Sequence, residues 1–173
     1  MVTPGIRKRI LTGSSGPEWR ATARVCAADP ADYDVLVGLL GDERAAVAKR
    51  AAYVFTHAGE YAPALTLARL PVLVPLLDRT VHPGTRRAIC RSLTFIDLPP
   101  AWVGPVLDRC FGYLEDVQER TAVRVFSADI IYRNTADYPE LRAELRRLLE
   151  WAAPAASPGL SSKIRRLLPL LAP

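Results

Sequence analysis

Apolar residues recur along the chain at the three- and four-residue spacing of amphipathic helices. Between residues 100 and 114 they stand at Trp102, Val103, Val106, Leu107, Cys110, Phe111 and Leu114, positions that share one side of a helix. The same pattern predicts helices at about residues 31–40, 43–57, 71–77, 83–95, 100–114, 117–134, 139–151 and 158–171. A leading segment at 17–28 predicts one more helix, which would cap the first of the others.

These helices form pairs that recur at a nearly constant step. The segment VGLLGD at 37–42 returns as VPLLDR at 74–79 and as FGYLED at 111–116, each time 37 residues later. A second series begins at Lys49, Arg86 and Arg124, with steps of 37 and 38, and Lys163 continues it after 39. Two series with matching steps indicate a repeat protein whose unit is an antiparallel helix pair.

Aspartates and prolines mark the ends of the predicted helices. Asp42, Asp78 and Asp116 precede the second helix of a pair, where a carboxylate can cap free backbone N–H groups. Many of the prolines stand near helix starts, where the missing N–H carries no cost: Pro17, Pro71, Pro83, Pro100, Pro139 and Pro158. Pro75 and Pro105 fall inside first helices and predict a kink in each.

The pattern of Leu-Leu-x-Asp, a short turn and a basic residue followed by Ala resembles the HEAT repeat. Leu39-Leu40-Gly41-Asp42 with Lys49-Arg50-Ala51 is one copy, and Leu76-Leu77-Asp78 with Arg86-Arg87-Ala88 is a second. Tyr113-Leu114-Glu115-Asp116 with Arg124 is a third copy, in which Val125-Phe126 replaces the typical Arg-Ala, and the last copy lacks the turn aspartate. The chain as a whole is similar to small bacterial HEAT-like proteins of unassigned activity.

The resemblance implies an all-α fold, a right-handed α-α superhelix of about four helix-hairpin repeats with an N-terminal capping helix. We expect a single domain over residues 1–173, with the cap at 1–30 and repeats at about 31–60, 61–98, 99–137 and 138–173. The apolar C-terminal helix, with Ile164, Leu167 and Leu170 among its residues, should cap the stack. If part of it stays exposed, it becomes a surface for self-association.

Composition excludes several classes of protein. The chain has 173 residues, of which 50% are apolar and 24% charged, which is typical of a globular domain, and no apolar run approaches the roughly 20 residues of a membrane span. Cys26, Cys90 and Cys110 form no CxxC pair and His57 and His82 stand apart, so we expect free thiols, no metal and no cofactor. With no recognisable signal peptide, a cytoplasmic location is expected.

The chain also lacks the common catalytic motifs. It contains no GxxxxGK[ST], GxGxxG, HExxH or GxSxG. We therefore assign no catalytic residues and expect a protein that is not an enzyme.

In HEAT-like solenoids the second helices line the concave side, and the repeat step aligns their residues in rows. Arg50 aligns with Arg87, Arg91 with Asp129, and His57 with Tyr132. The predicted partner-binding groove therefore comprises Arg50, His57, Arg87, Arg91, Arg124, Asp129 and Tyr132.

Asp129 is unusual because it is the only carboxylate midway along a second helix. One interpretation is an ion pair with Arg91 or Arg133 that keeps the repeats in register. Another is a groove carboxylate that recognises a basic ligand or acts as a catalytic acid or base, and a third is a plain solvated surface residue.

With a net charge of +5, the arginine-rich groove favours a non-enzymatic scaffold that binds an acidic or extended protein segment. The alternative is nucleic-acid binding, in its sharpest form a DNA glycosylase similar to the HEAT-like alkylation-repair enzymes, with Asp129, Tyr132 and Arg91 in the site. Against it, Tyr132 is the only aromatic residue in the aligned rows, whereas base stacking needs several. Bilin-attaching lyases also use such solenoids, but no residue here points to a tetrapyrrole pocket.

Overall fold

The computed structural model describes residues 5–79, 82–136 and 138–171. Within these ranges the chain forms eleven α-helices and two 3-10 segments and no strand, which confirms the predicted all-α class. The helices are α1 (Ile6–Thr12), α2 (Gly16–Ala28), α3 (Pro30–Leu40), α4 (Ala45–Tyr61), α5 (Pro63–Ala68), α6 (Leu70–Leu76), α7 (Pro83–Leu93), α8 (Pro100–Glu115), α9 (Thr121–Asn134), α10 (Pro139–Ala152) and α11 (Pro158–Leu167), and the 3-10 segments are Ala153–Ala155 and Leu168–Leu171.

The chain divides into two compact units, Met1–Ile96 and Asp97–Pro173. In the first unit α4 is central, because it packs against α1, α2, α3, α5 and α7. Tyr33 of α3 is fully buried against Phe55 of α4, and its hydroxyl lies 2.7 Å from Thr66 Oγ1 of α5. The core thus contains a hydrogen-bonded pair of hydroxyl groups among its apolar side chains, because a buried hydroxyl needs a hydrogen-bond partner.

Helices α4 and α7 approach closely because a glycine stands at their contact. A Cβ built on Gly59 would lie 2.0 Å from Ser92 Oγ and 2.5 Å from Ser92 Cβ. Only a hydrogen at this position lets the two helices pack at their observed separation.

The second unit contains the pair α8–α9, and α9 also packs against α10 and α11. Leu160, Ile164, Leu167 and Leu171 are buried, in keeping with a C-terminal helix that covers the core. Leu170 is 53% exposed, so self-association through this end stays a prediction.

Helices α3–α4, α6–α7 and α8–α9 pack as the predicted pairs, whereas α11 packs mainly against α9, and the predicted bounds differ from the observed ones mainly at the helix ends. Helices α1 and α5 are short and were not predicted. Helix α4 extends to Tyr61, four residues beyond the expected end, and α9 begins at Thr121 instead of 117. All six prolines expected at helix starts occupy the first or second position of their helices, and Pro75 and Pro105 lie inside α6 and α8.

Asp42 and Asp116 do not cap the second helices as predicted, and the N-cap residue of α7 is His82. Asp42 accepts the backbone N–H of Arg44 at 3.0 Å, and Asp116 accepts that of Gln118 at 2.8 Å. Both are tight turns that precede helices α4 and α9, whose first residues have no side-chain cap. An aspartate bonded two residues ahead bends the chain before the helix starts.

The three cysteines are buried and none of them forms a disulfide. Burial raises the pKa of the Cys26 and Cys110 thiols to about 12. In the described ranges, no helix has both the length and the hydropathy that crossing a membrane would require.

Candidate functional site

The exposed side of α4 carries basic and aromatic residues in alternation. Arg50, Tyr53, His57 and Tyr61 follow at intervals of three and four residues, which places them on one face of the helix. The opposite face of α4 contributes Ala51, Val54, Phe55 and Ala58 to the core. The helical spacing of these four residues is therefore enough to place them on the side of α4 that faces solvent.

Helix α7 adds two arginines beside this row. Arg91 donates from Nη2 to Glu60 Oε2 at 2.8 Å and from Nε to the Thr56 carbonyl at 3.4 Å, so it lies across α4. Arg87, one turn earlier on α7, is half-buried, and neither it nor Arg50 makes a hydrogen bond or ion pair to any other described residue. We call Arg50, Tyr53, His57, Arg87 and Arg91 the α4–α7 face.

The pKa of His57 is lowered by its partial burial and by the positive charge of this face. Partial burial lowers the pKa of its imidazole, and the guanidinium groups of Arg20, Arg91 and Arg87 lower it further, while Glu60 opposes them. A charge on His57 is disfavoured both because the ring loses solvent and because cations surround it. His57 is thus a neutral ring in a positive field at neutral pH.

A cleft of about 500 Å³ adjoins the α4–α7 face within the first unit. We call it the Trp19 cleft; it is lined by Thr12, Gly13, Ser14, Trp19, Ala46, Lys49, Arg50 and Tyr53. The Trp19 and Tyr53 rings stack with centroids 4.3 Å apart and an interplanar angle of 17°, and Lys49 Nζ lies 6.0 Å from the Tyr53 centroid. The cleft therefore joins an aromatic wall to two cationic side chains.

The loop beside the Trp19 cleft is closed by its own hydrogen bonds. Ser15 Oγ accepts the Glu18 N–H at 3.4 Å, and Glu18 Oε2 accepts the Ser14 N–H at 2.8 Å, which lowers the pKa of Glu18. These two bonds close the turn before α2, whose N-cap residue is Ser15. The adjacent Gly13 lies against Trp19, where an added Cβ would be 3.1 Å from Cδ1 of the indole.

Sequence reasoning missed the aromatic component of this surface. The helical spacing of Tyr53 and Tyr61 relative to Arg50 could have predicted that they share the face of α4 with it. The packing of Trp19 against α4 could not have been predicted from the residues near it in sequence. Arg24 lies 5.4 Å from the Tyr61 centroid, and the His57 and Tyr61 rings are 6.4 Å apart. Tyr132 is therefore not the only aromatic residue beside the predicted cations.

Arg124 departs from its predicted place in an open groove. It is 8% exposed, and its Nε and Nη2 donate to the Leu114 carbonyl at 3.1 and 3.0 Å. The equivalent Arg86 donates from Nε to the Leu77 carbonyl at 3.2 Å. In both pairs the basic residue satisfies a carbonyl at the end of the preceding helix, where the helix dipole favours a cation. At Arg86 and Arg124, the basic residues of the second repeat series thus stabilise the fold by bonding the preceding helix.

Asp129 forms an ion pair, but with neither of the predicted partners. Its Oδ2 contacts Nζ of Lys163, a buried residue of α11. Arg91 pairs with Glu60, as described above, and Arg133 contacts Asp97 at 2.8 Å. The expected link between neighbouring helices is present, and it joins α9 to α11.

Tyr132 lies on α9, half-buried, with the Arg142 guanidinium 5.2 Å from its centroid. The seven residues of the predicted partner-binding groove therefore divide between the two units. Arg50, His57, Arg87 and Arg91 come together on α4 and α7 of the first unit, and the other three belong to the second. Among the described residues, no three His, Cys, Asp or Glu side chains are grouped as a metal site requires.

Comparison with known proteins gives one finding. The family model described as HEAT repeat domain matches residues 6–170, nearly the whole chain. No curated protein and no solved structure matches the sequence.

Proposed function

The chain belongs to the HEAT repeat family, whose helix pairs build α-α solenoids that commonly serve as protein-binding scaffolds, and on that basis we propose that it binds an acidic, extended protein segment through the α4–α7 face. The observation that carries the proposal is the pair Arg50 and Arg87. Both are available because no other described residue engages them. A guanidinium without an internal partner is suited to bidentate contact with a carboxylate.

The Trp19 cleft supports the same proposal. Its stacked rings offer apolar surface, and Lys49 and Arg50 stand at its edge. An extended segment could place an apolar side chain in the cleft while neighbouring carboxylates contact the cations. Rigid aromatic residues and arginines are the side chains that most often dominate binding energy at interfaces.

Nucleic-acid binding is the second candidate, and one observation favours it. Aromatic and basic residues alternate on this face, with Tyr53 beside Lys49 and Tyr61 beside Arg24, which is the arrangement that stacks bases and neutralises phosphates. The glycosylase version requires Asp129 as an acid or base. That carboxylate is committed to Lys163 in the second unit, and we assign it a packing role.

The test is a titration with two fluorescein-labelled probes followed by fluorescence anisotropy. One probe is a 12-residue peptide of Glu and Asp with two Leu residues, and the other is a 12-nucleotide oligothymidylate. We expect the peptide to bind, and Arg50→Ala/Arg87→Ala to weaken binding at least about tenfold, because two free cations are lost. Tyr53→Ala should weaken it as well by removing one wall of the cleft.

The matched control is Arg165→Ala/Arg166→Ala, which removes two exposed arginines from α11 and so the same net charge. It should change the peptide affinity less than about twofold. Equal losses in the two double variants would mean that net charge alone drives binding and would refute the proposed face. Tighter binding of the oligonucleotide, lost in Arg50→Ala/Arg87→Ala and falling steeply with salt, would replace the protein partner with nucleic acid.

A further inference from the structure

The second unit carries a groove of opposite character to the α4–α7 face. Two adjoining cavities, of about 480 and 410 Å³, share Phe111 and Glu144 and lie between α8 and α10. At one end Pro100 and Val103 face Tyr138 and Leu141, and at the other Glu115 faces Leu148 and Trp151. The two helices therefore run in the same direction, and we call the space between them the α8–α10 groove.

Both walls of this groove are apolar stripes at helical spacing. On α8 the stripe is Val103, Leu107 and Phe111, and on α10 it includes Leu141, Leu148 and Trp151. Trp151 is 57% exposed and Tyr138 43% exposed. Large aromatic side chains that remain this exposed at the edge of an apolar groove are typical of an interaction surface.

The α8 side of the groove includes an exposed glycine. A Cβ built on Gly104 of α8 would meet no other atom within 4 Å, although this residue lines the larger cavity. Gly112, on the same helix, is equally open but lines neither cavity. The two glycines therefore provide a matched pair for testing occupancy of the groove.

The charged residues at the rim of the groove indicate the charge of its partner. Asp108, Glu115 and Glu144 line the cavities together with one cation, Arg147. None of the three carboxylates forms an ion pair with another described residue, although the whole chain has a net charge of +5. An acidic rim around an apolar floor complements a ligand with an apolar stripe flanked by cations.

From these observations we propose that the α8–α10 groove binds a basic amphipathic helix of a partner protein. Helix α8 has 16 residues, or roughly 24 Å at the usual rise, so a partner helix of about 15 residues would fill the groove. Its apolar residues at i, i+3 or i+4 and i+7 would pack between the two stripes. Its lysines or arginines would reach the carboxylates at the rim.

The experiment uses the full-length protein and two fluorescein-labelled 15-residue helical peptides. Both have Leu at the spacing of one helical stripe; the remaining positions are mostly Lys in one and Gln in the other. Anisotropy titrations should give at least about fivefold tighter binding for the Lys peptide, because the rim carboxylates attract it. Glu144→Lys should remove this preference, whereas Glu43→Lys, an exposed reversal in the first unit, should keep it.

Gly104→Leu tests the location directly. Open space surrounds the position of a Cβ on Gly104, beside the cavity that this residue lines, so we expect the leucine to occupy part of the groove and to weaken binding of both peptides at least about tenfold. Gly112→Leu should leave both affinities within about twofold of the original, and circular dichroism should show both variants folded. If Gly104→Leu proves unfolded, the comparison of Glu144→Lys with Glu43→Lys decides.

Three results would overturn the proposal. The first is unchanged binding in Gly104→Leu, and the second is equal affinity for the two peptides. The third is a dimer in sedimentation experiments that Gly104→Leu dissociates, because the occupant would then be a second copy of the chain. Arg50→Ala/Arg87→Ala should leave binding of the Lys peptide intact, which separates this groove from the α4–α7 face.

Discussion

The ion pair between Asp129 and Lys163 gives the sharpest test of how charge stabilises this protein. The Lys163 side chain is 9% exposed and that of Asp129 is 24% exposed, so replacing the carboxylate strands a nearly buried ammonium group. Breaking a fully buried pair costs about 3–5 kcal/mol, and an exposed pair contributes at most about 1 kcal/mol. The intermediate burial of this pair leads us to expect that Asp129→Asn lowers the free energy of unfolding by about 2 kcal/mol.

The assay is urea unfolding of a double-mutant cycle, followed by far-UV circular dichroism. With an m-value of about 2 kcal/mol/M, the loss in Asp129→Asn corresponds to a midpoint about 1 M lower. Lys163→Met keeps the aliphatic packing but strands the carboxylate, and it should also destabilise the fold. In the double variant no uncompensated charge remains, so the loss should be smaller than the sum of the single losses by at least about 1 kcal/mol.

Additive losses, to within about 0.5 kcal/mol, would refute the reasoning, because the two side chains would then act independently. The same variants address function. Asp129→Asn should leave binding of the acidic peptide unchanged when measured well below its unfolding midpoint. A loss of affinity without a loss of stability would assign Asp129 to a binding site instead of to packing.

Three further predictions concern the buried parts of the fold. Gly59→Ala should cost about 1–3 kcal/mol through overpacking, because the new methyl collides with Ser92, and adding Ser92→Gly should recover most of the loss in urea unfolding. Thr66→Val should cost about 1–3 kcal/mol because it leaves the buried Tyr33 hydroxyl without its partner; if Tyr33→Phe in the same chain restores nothing, the hydrogen bond is not the cause. Burial raises the pKa of the Cys110 thiol to about 12 in the folded chain, whereas the ordinary pKa of a cysteine thiol is near 9. Between these two pH values the folded chain keeps the thiol proton and the unfolded chain loses it. Stability should therefore fall as the pH rises from about 9 towards 12, and iodoacetamide at pH 8 should label Cys110 only in denaturant.

Much of the fold could be predicted because its determinants are local. Helical spacing of apolar residues located the long helices, and Pro83, Pro100 and Pro139 marked helix starts through a fixed φ and a missing N–H. The short helices α1 and α5 escaped because seven and six residues are too few to establish a helical period. Asp42 and Asp116 were misassigned because an aspartate before a helix can equally bond the turn.

The candidate sites were harder to predict because they depend on which helices pack together. The repeat step aligned Asp129 with Arg91, but such an alignment does not specify which basic side chain a carboxylate contacts. Here it contacts Lys163 of α11. The Trp19 cleft likewise depends on α2 and α4 packing against each other, which brings Trp19 beside Tyr53 across more than thirty positions of sequence.

The sequence by itself determined the long helices and the repeat, because backbone geometry and the apolar stripe of a helix are properties of neighbouring residues. The tertiary structure decided which charges are available. Arg50 and Arg124 are both basic residues of second helices, yet Arg50 is exposed and Arg124 is buried against the Leu114 carbonyl. A cation can bind a partner only if the fold has not already satisfied it. That difference arises from contacts between helices, which no local pattern specifies.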